Sequence, residues 1–183
     1  MSDSDSAVVG LEAQPSHHLL PSVKELITEN LEWDTSDIQQ QLNEVFTHFP
    51  SLAGETIYVG VTHSEISYHG KPFAMADPYN RIIYMSDKSL LEYQTLFHEL
   101  THIKIHLENE TGADHPITSE PYCSILAVSK MPADMVYRDH IAYLGEPEVP
   151  NEKYPKICQR ALEYREDHRN YIQKAKEWLG IND

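Results

Sequence analysis

An α+β domain is the fold class this sequence predicts, on three observations. Apolar residues recur at helical spacing behind start signals in both the N-terminal and C-terminal parts of the chain. Residues 56–86 turn β-branched and aromatic, and 183 residues hold one domain with a real core but would cramp a second. Apolar content of 40% is low for a globular domain yet well above disordered compositions.

Residues 1–20 carry Ser, Asp, Gly, Pro and a His17-His18 pair without periodicity, and are expected to form a flexible tail. A single domain is expected over 21–183. Ser22 with Glu25 fits a capping box, in which each side chain satisfies the other residue's backbone N–H, and opens a short helix with Leu26, Ile27 and Leu31. Ser36 with Gln39 repeats the signal before Ile38, Leu42, Val45 and Phe46, and Pro50 and Gly54 close that stretch.

The run Thr56-Ile57-Tyr58-Val59-Gly60-Val61 reads as a strand. Asp77-Pro78-Tyr79-Asn80 is a turn signal between Phe73-Ala74-Met75-Ala76 and Arg81-Ile82-Ile83-Tyr84-Met85. A small, mostly antiparallel sheet of three or four strands is expected. A third capping box, Ser89 with Glu92, opens a helix over 90–107. A loop over 109–119 leads to a helix beginning near Glu120, another helix covers 133–143, and a long one covers about 155–179 with Gly180 as its C-cap. That last helix alternates charges beside Ile157, Ala161, Ile172, Ala175 and Trp178, so it is expected to cover the domain.

Lys and Arg number 14 against 29 Asp and Glu, a net charge of −15, which repels phosphate backbones and disfavours direct nucleic-acid binding. No apolar run approaches the ~18 residues of a membrane span. The Ser/Asp-rich start, Met1 to Ser6, lacks the layout of a signal peptide, so a cytoplasmic protein is expected. Cys123 and Cys158 are expected to be reduced thiols, since their spacing suggests neither a disulfide framework nor a metal pair.

The chemistry gathers at His98-Glu99-Leu100-Thr101-His102. Imidazoles four residues apart on a helix lie about 40° apart and one turn above each other, so both can reach one zinc ion. Glu99 can then stand beside a zinc-activated water and take its proton as the water attacks a peptide carbonyl. On a helical wheel Leu96, Leu100, Ile103 and Leu107 fall between about 140° and 200° from His98, opposite the ligand face. His106 continues the ladder but stands about 12 Å along the axis from His98, too far for one ion. A third ligand is required. Glu120, 18 residues after His102, is the candidate, because Thr118-Ser119 supplies a cap and Pro121 suits a first turn. Cys123, Ser124 and Ala127 offer small residues for a close approach of the two helices, and Glu108, Asp114 and His115 compete for the ligand role.

The segment from Arg81-Ile82-Ile83-Tyr84-Met85 through Phe97-His98-Glu99-Leu100-Thr101-His102-Ile103-Lys104-Ile105-His106 to Glu120 and Met131-Pro132 resembles the ImmA/IrrE family of gluzincin-type metallopeptidases. The resemblance covers roughly residues 55–145, the expected catalytic core, and leaves 153–180 as an added C-terminal helix. It departs from the family at Thr101, where a Gly is usual, at Pro121, Tyr122 and Cys123, where alanines are usual, and at Lys130, where paired leucines are usual. It implies a compact zincin-like domain holding one Zn2+ per chain, with His98, His102 and Glu120 as ligands and Glu99 as general base. It further implies a regulatory protease of narrow specificity whose protein substrate is a helix-turn-helix repressor, and the acidic surface suits a basic partner. A zinc-binding interaction module without proteolytic activity is the alternative, while a DNA-linked zincin is disfavoured by the charge. Tyr84, Tyr137, His140 and Tyr143 are all available to stabilise an oxyanion.

Overall fold

In the computed structural model, the described residues are 16–19, 35–62, 67–68, 71–72, 74–86, 93–116 and 119–181. The expected helix opened by Ser22 and the capping box at Ser89 lie outside them, as does the expected tail apart from residues 16–19. Those four form a strand, β1 (Ser16–Leu19), rather than tail, and β1 pairs with β2 (Thr56–Thr62). Without β1, one edge of the largely buried β2 would carry backbone groups lacking ladder partners.

Ile57, Val59 and Val61 alternate along β2 and are buried, so the strand forms by laying every second, β-branched residue on the core. β3 (Ser67–Tyr68) and β4 (Lys71–Pro72) make a separate two-stranded ribbon. β5 (Met75–Asp77) and β6 (Ile82–Ser86) are joined by the expected turn, in which Asp77 accepts hydrogen bonds from the backbone N–H and side-chain amide of Asn80. The main sheet has the order β1-β2-β6-β5. Only β5–β6 is antiparallel; β1–β2 and β2–β6 are parallel, which corrects the expected mostly antiparallel sheet. Alternation specifies which face a strand buries but not the direction of its neighbour. β6 opens with Ile82 beside Tyr58, near the starting end of β2, so the two strands run the same way.

Helix α1 (Thr35–Phe46) buries Ile38, Leu42, Val45 and Phe46, the expected stripe, although Ser36 falls in its first turn instead of capping it. Its partner is α2 (Tyr93–Glu110), which lies against α1, β5, β6 and α3 (Glu120–Lys130). The expected helix over 133–143 is two 3-10 turns, Ala133–Met135 and Arg138–Ile141, separated by Val136 in an extended conformation. Pro132 enters this stretch extended and the β-branched Val136 stays extended, so no helix propagates. The expected long C-terminal helix is likewise two, α4 (Tyr154–Arg165) and α5 (Tyr171–Leu179). The polar run 166–170 lets α5 fold back, so Tyr171, Ala175 and Leu179 reach the core while Trp178 meets Tyr164 and the Arg160 guanidinium. A straight helix would leave that apolar face bare. Gly180, at φ 73°, ends α5 in the left-handed conformation that glycine adopts without strain. The α4–α5 pair packs on α3 through α4, as the expected cover does. Among the described residues no helix is long and apolar enough to cross a membrane.

Candidate metal centre

The motif lies on α2, and α2 is more enclosed than a two-sided helix. Leu96, Leu100 and Ile103 are buried as expected, but so are Phe97, Glu99, Thr101, Lys104 and Ile105, because sheet, α1 and α3 surround it. Thr101 stands where the resembled family usually has Gly. Its hydroxyl donates to the Phe97 carbonyl at 2.7 Å, which satisfies a polar group that is otherwise wholly buried.

Opposite the histidines, α3 begins as anticipated. The Ser119 side chain accepts from the Tyr122 backbone N–H and Pro121 occupies the first turn, which fixes Glu120 at the helix start. The structure brings three donors together. Glu120 Oε2 lies 2.9 Å from His98 Nε2 and 3.6 Å from His102 Nε2, and the two Nε2 atoms are 3.2 Å apart. Atoms held about 2.0–2.2 Å from one tetrahedral ion stand about 3.3–3.6 Å from each other; one pair here is at that spacing and two are a few tenths of an ångström closer, a difference that small side-chain rotations remove. The His98, His102 and Glu120 group could hold a metal ion. The side chains of His98 and His102 are 15% and 17% exposed and that of Glu120 43%, so the pair is sheltered while the carboxylate borders solvent.

Electrostatics reinforce the grouping. Hydrogen bonds from His102 and His98 hold the Glu120 carboxyl well below the usual carboxylate range. Burial works to lower the His102 imidazole, but hydrogen bonds to Cys123 and Glu120 outweigh it and push it up to about 10. Glu99 is 6% exposed, and burial drives its carboxyl upward; His98 and His102 oppose that rise, Glu120 adds to it, and the Ala76 backbone N–H on β5 opposes it. The candidate base therefore accepts from the edge strand and lies within the electrostatic reach of the imidazole pair.

The competing ligand candidates sit elsewhere. Glu108 pairs with Lys104 and with His115, His115 meets the Tyr122 hydroxyl at 2.6 Å, and the Asp114 carbonyl accepts from Arg165. His106 stands against Glu110 and the Tyr79 ring, away from the donor group, as the helix geometry requires. Of the four residues considered for an oxyanion, Tyr143 stacks on His98, with ring centroids 5.6 Å apart and planes inclined by 19°. His140 is buried, accepts from the Tyr137 backbone N–H, and is pushed down to about 4 by burial. Two contacts were not foreseen. Tyr143 reaches His98 through a loop that leaves no local signal, whereas Cys123 Sγ, 3.4 Å from His102 Nδ1, sits three residues after Glu120 and so on the same helix face. Comparison of the chain with known protein families, with curated proteins and with solved structures finds no match.

Proposed function

We propose that this chain is a zinc-dependent endopeptidase of the ImmA/IrrE-like kind, hydrolysing peptide bonds with His98, His102 and Glu120 as metal ligands and Glu99 as general base. The observation that carries the reading is the convergence of two imidazoles and a carboxylate beside a second, buried carboxyl. Zinc in that group supplies Lewis acidity to a water and to a peptide carbonyl. Burial raises the Glu99 carboxyl above the usual carboxylate range, and its place beside the imidazole pair would let it take a proton from an attacking water and return it to the leaving amine. Strand β5 ends the described sheet next to Glu99, and an extended peptide can add to such an edge. The regulatory role and the helix-turn-helix repressor as substrate rest on the resemblance alone, with the −15 charge suiting a basic partner.

The alternative is an interaction module that holds zinc without cutting. Glu99 favours the enzyme, since a carboxyl buried beside the ligands is a desolvation burden that a purely structural site has no use for. The test is a degenerate peptide pool incubated with zinc-loaded protein and read by mass spectrometry. Wild type should cut, and Glu99→Gln should retain zinc while losing about 10²- to 10⁴-fold in rate. A zinc-replete wild type that cuts nothing would favour the interaction module.

A further inference from the structure

We infer that Cys123 is the positioning residue for His102, its sulfur accepting the Nδ1 proton and so turning Nε2 toward His98 and Glu120. The inference rests on the metal-site reading and adds the element that orients one ligand of that site. An imidazole that offers the Nε2 lone pair to a metal carries its proton on Nδ1, and that proton needs an acceptor in a sheltered site. The two ring nitrogens of His102 face different partners: Nε2 lies 3.2 Å from His98 Nε2 and 3.6 Å from Glu120 Oε2, while Nδ1 lies 3.4 Å from Cys123 Sγ. Sulfur is larger than oxygen, so this separation is a hydrogen-bond distance for it.

Cys123 is held in place. It is fully buried, and its backbone N–H donates to the Ser119 carbonyl at 2.9 Å, within the same capped turn that fixes Glu120. One turn of α3 therefore supplies both the third ligand and the partner of the second. The acceptor's chemistry also matters. Carboxylates and carbonyls commonly fill this post and raise the ligand's basicity, whereas a thiol is a weak acceptor that need bring no charge. The site already holds two carboxylates in Glu99 and Glu120, and a thiol orients the ring without adding a third.

A small buried residue could equally serve only to let α3 approach α2, so the test separates orientation from packing. Zinc affinity is measured on the full chain by competition with a chromophoric chelator, alongside thermal melting of the metal-free protein. Cys123→Ser keeps an acceptor and should bind zinc within about threefold of wild type. Cys123→Ala and Cys123→Val remove it and should weaken binding by about 10- to 100-fold, whatever their melting temperatures do. Wild-type affinity in both the Ala and Val variants, or a Ser variant as weak as Ala, overturns the inference. Ring ¹⁵N NMR of wild type gives a reading that needs no variant to fold. The His102 Nδ1–H should be present and slow to exchange with or without zinc, and a bare or freely exchanging Nδ1 overturns the inference. A wild type that binds no zinc yet keeps a protected Nδ1–H would defeat the metal reading and leave the contact standing.

Discussion

Two polar clusters lie where α2 meets the first turn of α3, both drawing on Glu and His and completed differently. In one, Glu108 accepts from Lys104 and from His115, His115 meets the Tyr122 hydroxyl, and the Arg165 guanidinium lies over the Tyr122 ring. That cluster carries its own cations. At the motif end Glu120 meets two imidazoles and Glu99 lies buried beside them, and among the described contacts no Lys or Arg reaches either carboxylate. One cluster is compensated by its own cations, so it fastens the helices. The other gathers two carboxyl groups answered within the fold by the imidazole pair, a grouping that could hold a metal ion instead. The same types of side chain thus read as structural or as a metal site according to whether Lys or Arg supplies the counter-charge.

The contrast breaks most visibly under metal analysis. Glu120→Ala and His98→Ala should drop zinc from about one per chain to background after dialysis, on three-ligand logic. Glu108→Ala, which touches the other cluster, should keep its zinc. Full retention by Glu120→Ala would move the third ligand elsewhere and dissolve the contrast.

Stability of the metal-free protein should invert that order. Glu108→Ala leaves Lys104, whose side chain is 9% exposed, without its ion-pair partner, and should cost about 1–3 kcal/mol in urea unfolding. Glu120→Ala removes a carboxylate whose side chain is 43% exposed, so solvent screening should hold its effect below about 1 kcal/mol. Comparable losses from both variants would mean that the motif end also fastens the fold.

The two clusters were not equally legible. His98, Glu99 and His102 stand out because a catalytic zinc helix demands that spacing, and Glu120 because Ser119 and Pro121 mark a helix start. Glu108 and His115 carry no such signature: Lys104 and Glu108 pair at i, i+4 on α2, a spacing too common on helices to mark a site, and only packing brings His115 and Tyr122 to them. In the fold, burial faces and helix caps were readable, as at Ile57, Val59, Val61 and Gly180. Strand direction and the break at 166–170 were not, because both depend on where the chain must return, and 166–170 holds no Gly or Pro to mark the break.

The smallest effect is a difference in the sign of pH dependence in chelator-treated protein. His102 is raised in the folded state, to about 10, so its contribution is fully present below the unfolded value near 6.5 and is lost as pH rises toward 10. His115 is lowered, chiefly by burial, with Lys104 and Arg165 adding to that against Glu108. Its contribution is therefore present above about 6.5 and is lost as pH falls. Urea unfolding between pH 5.5 and 9 should show wild type converging on His102→Ala at the alkaline end and on His115→Ala at the acid end. The slope carries the information, since each substitution also removes contacts that do not titrate. Slopes of one sign would mean that a His102 imidazolium is no better held than His115 is. The motif end would then lack the negative field that makes it a place for a cation.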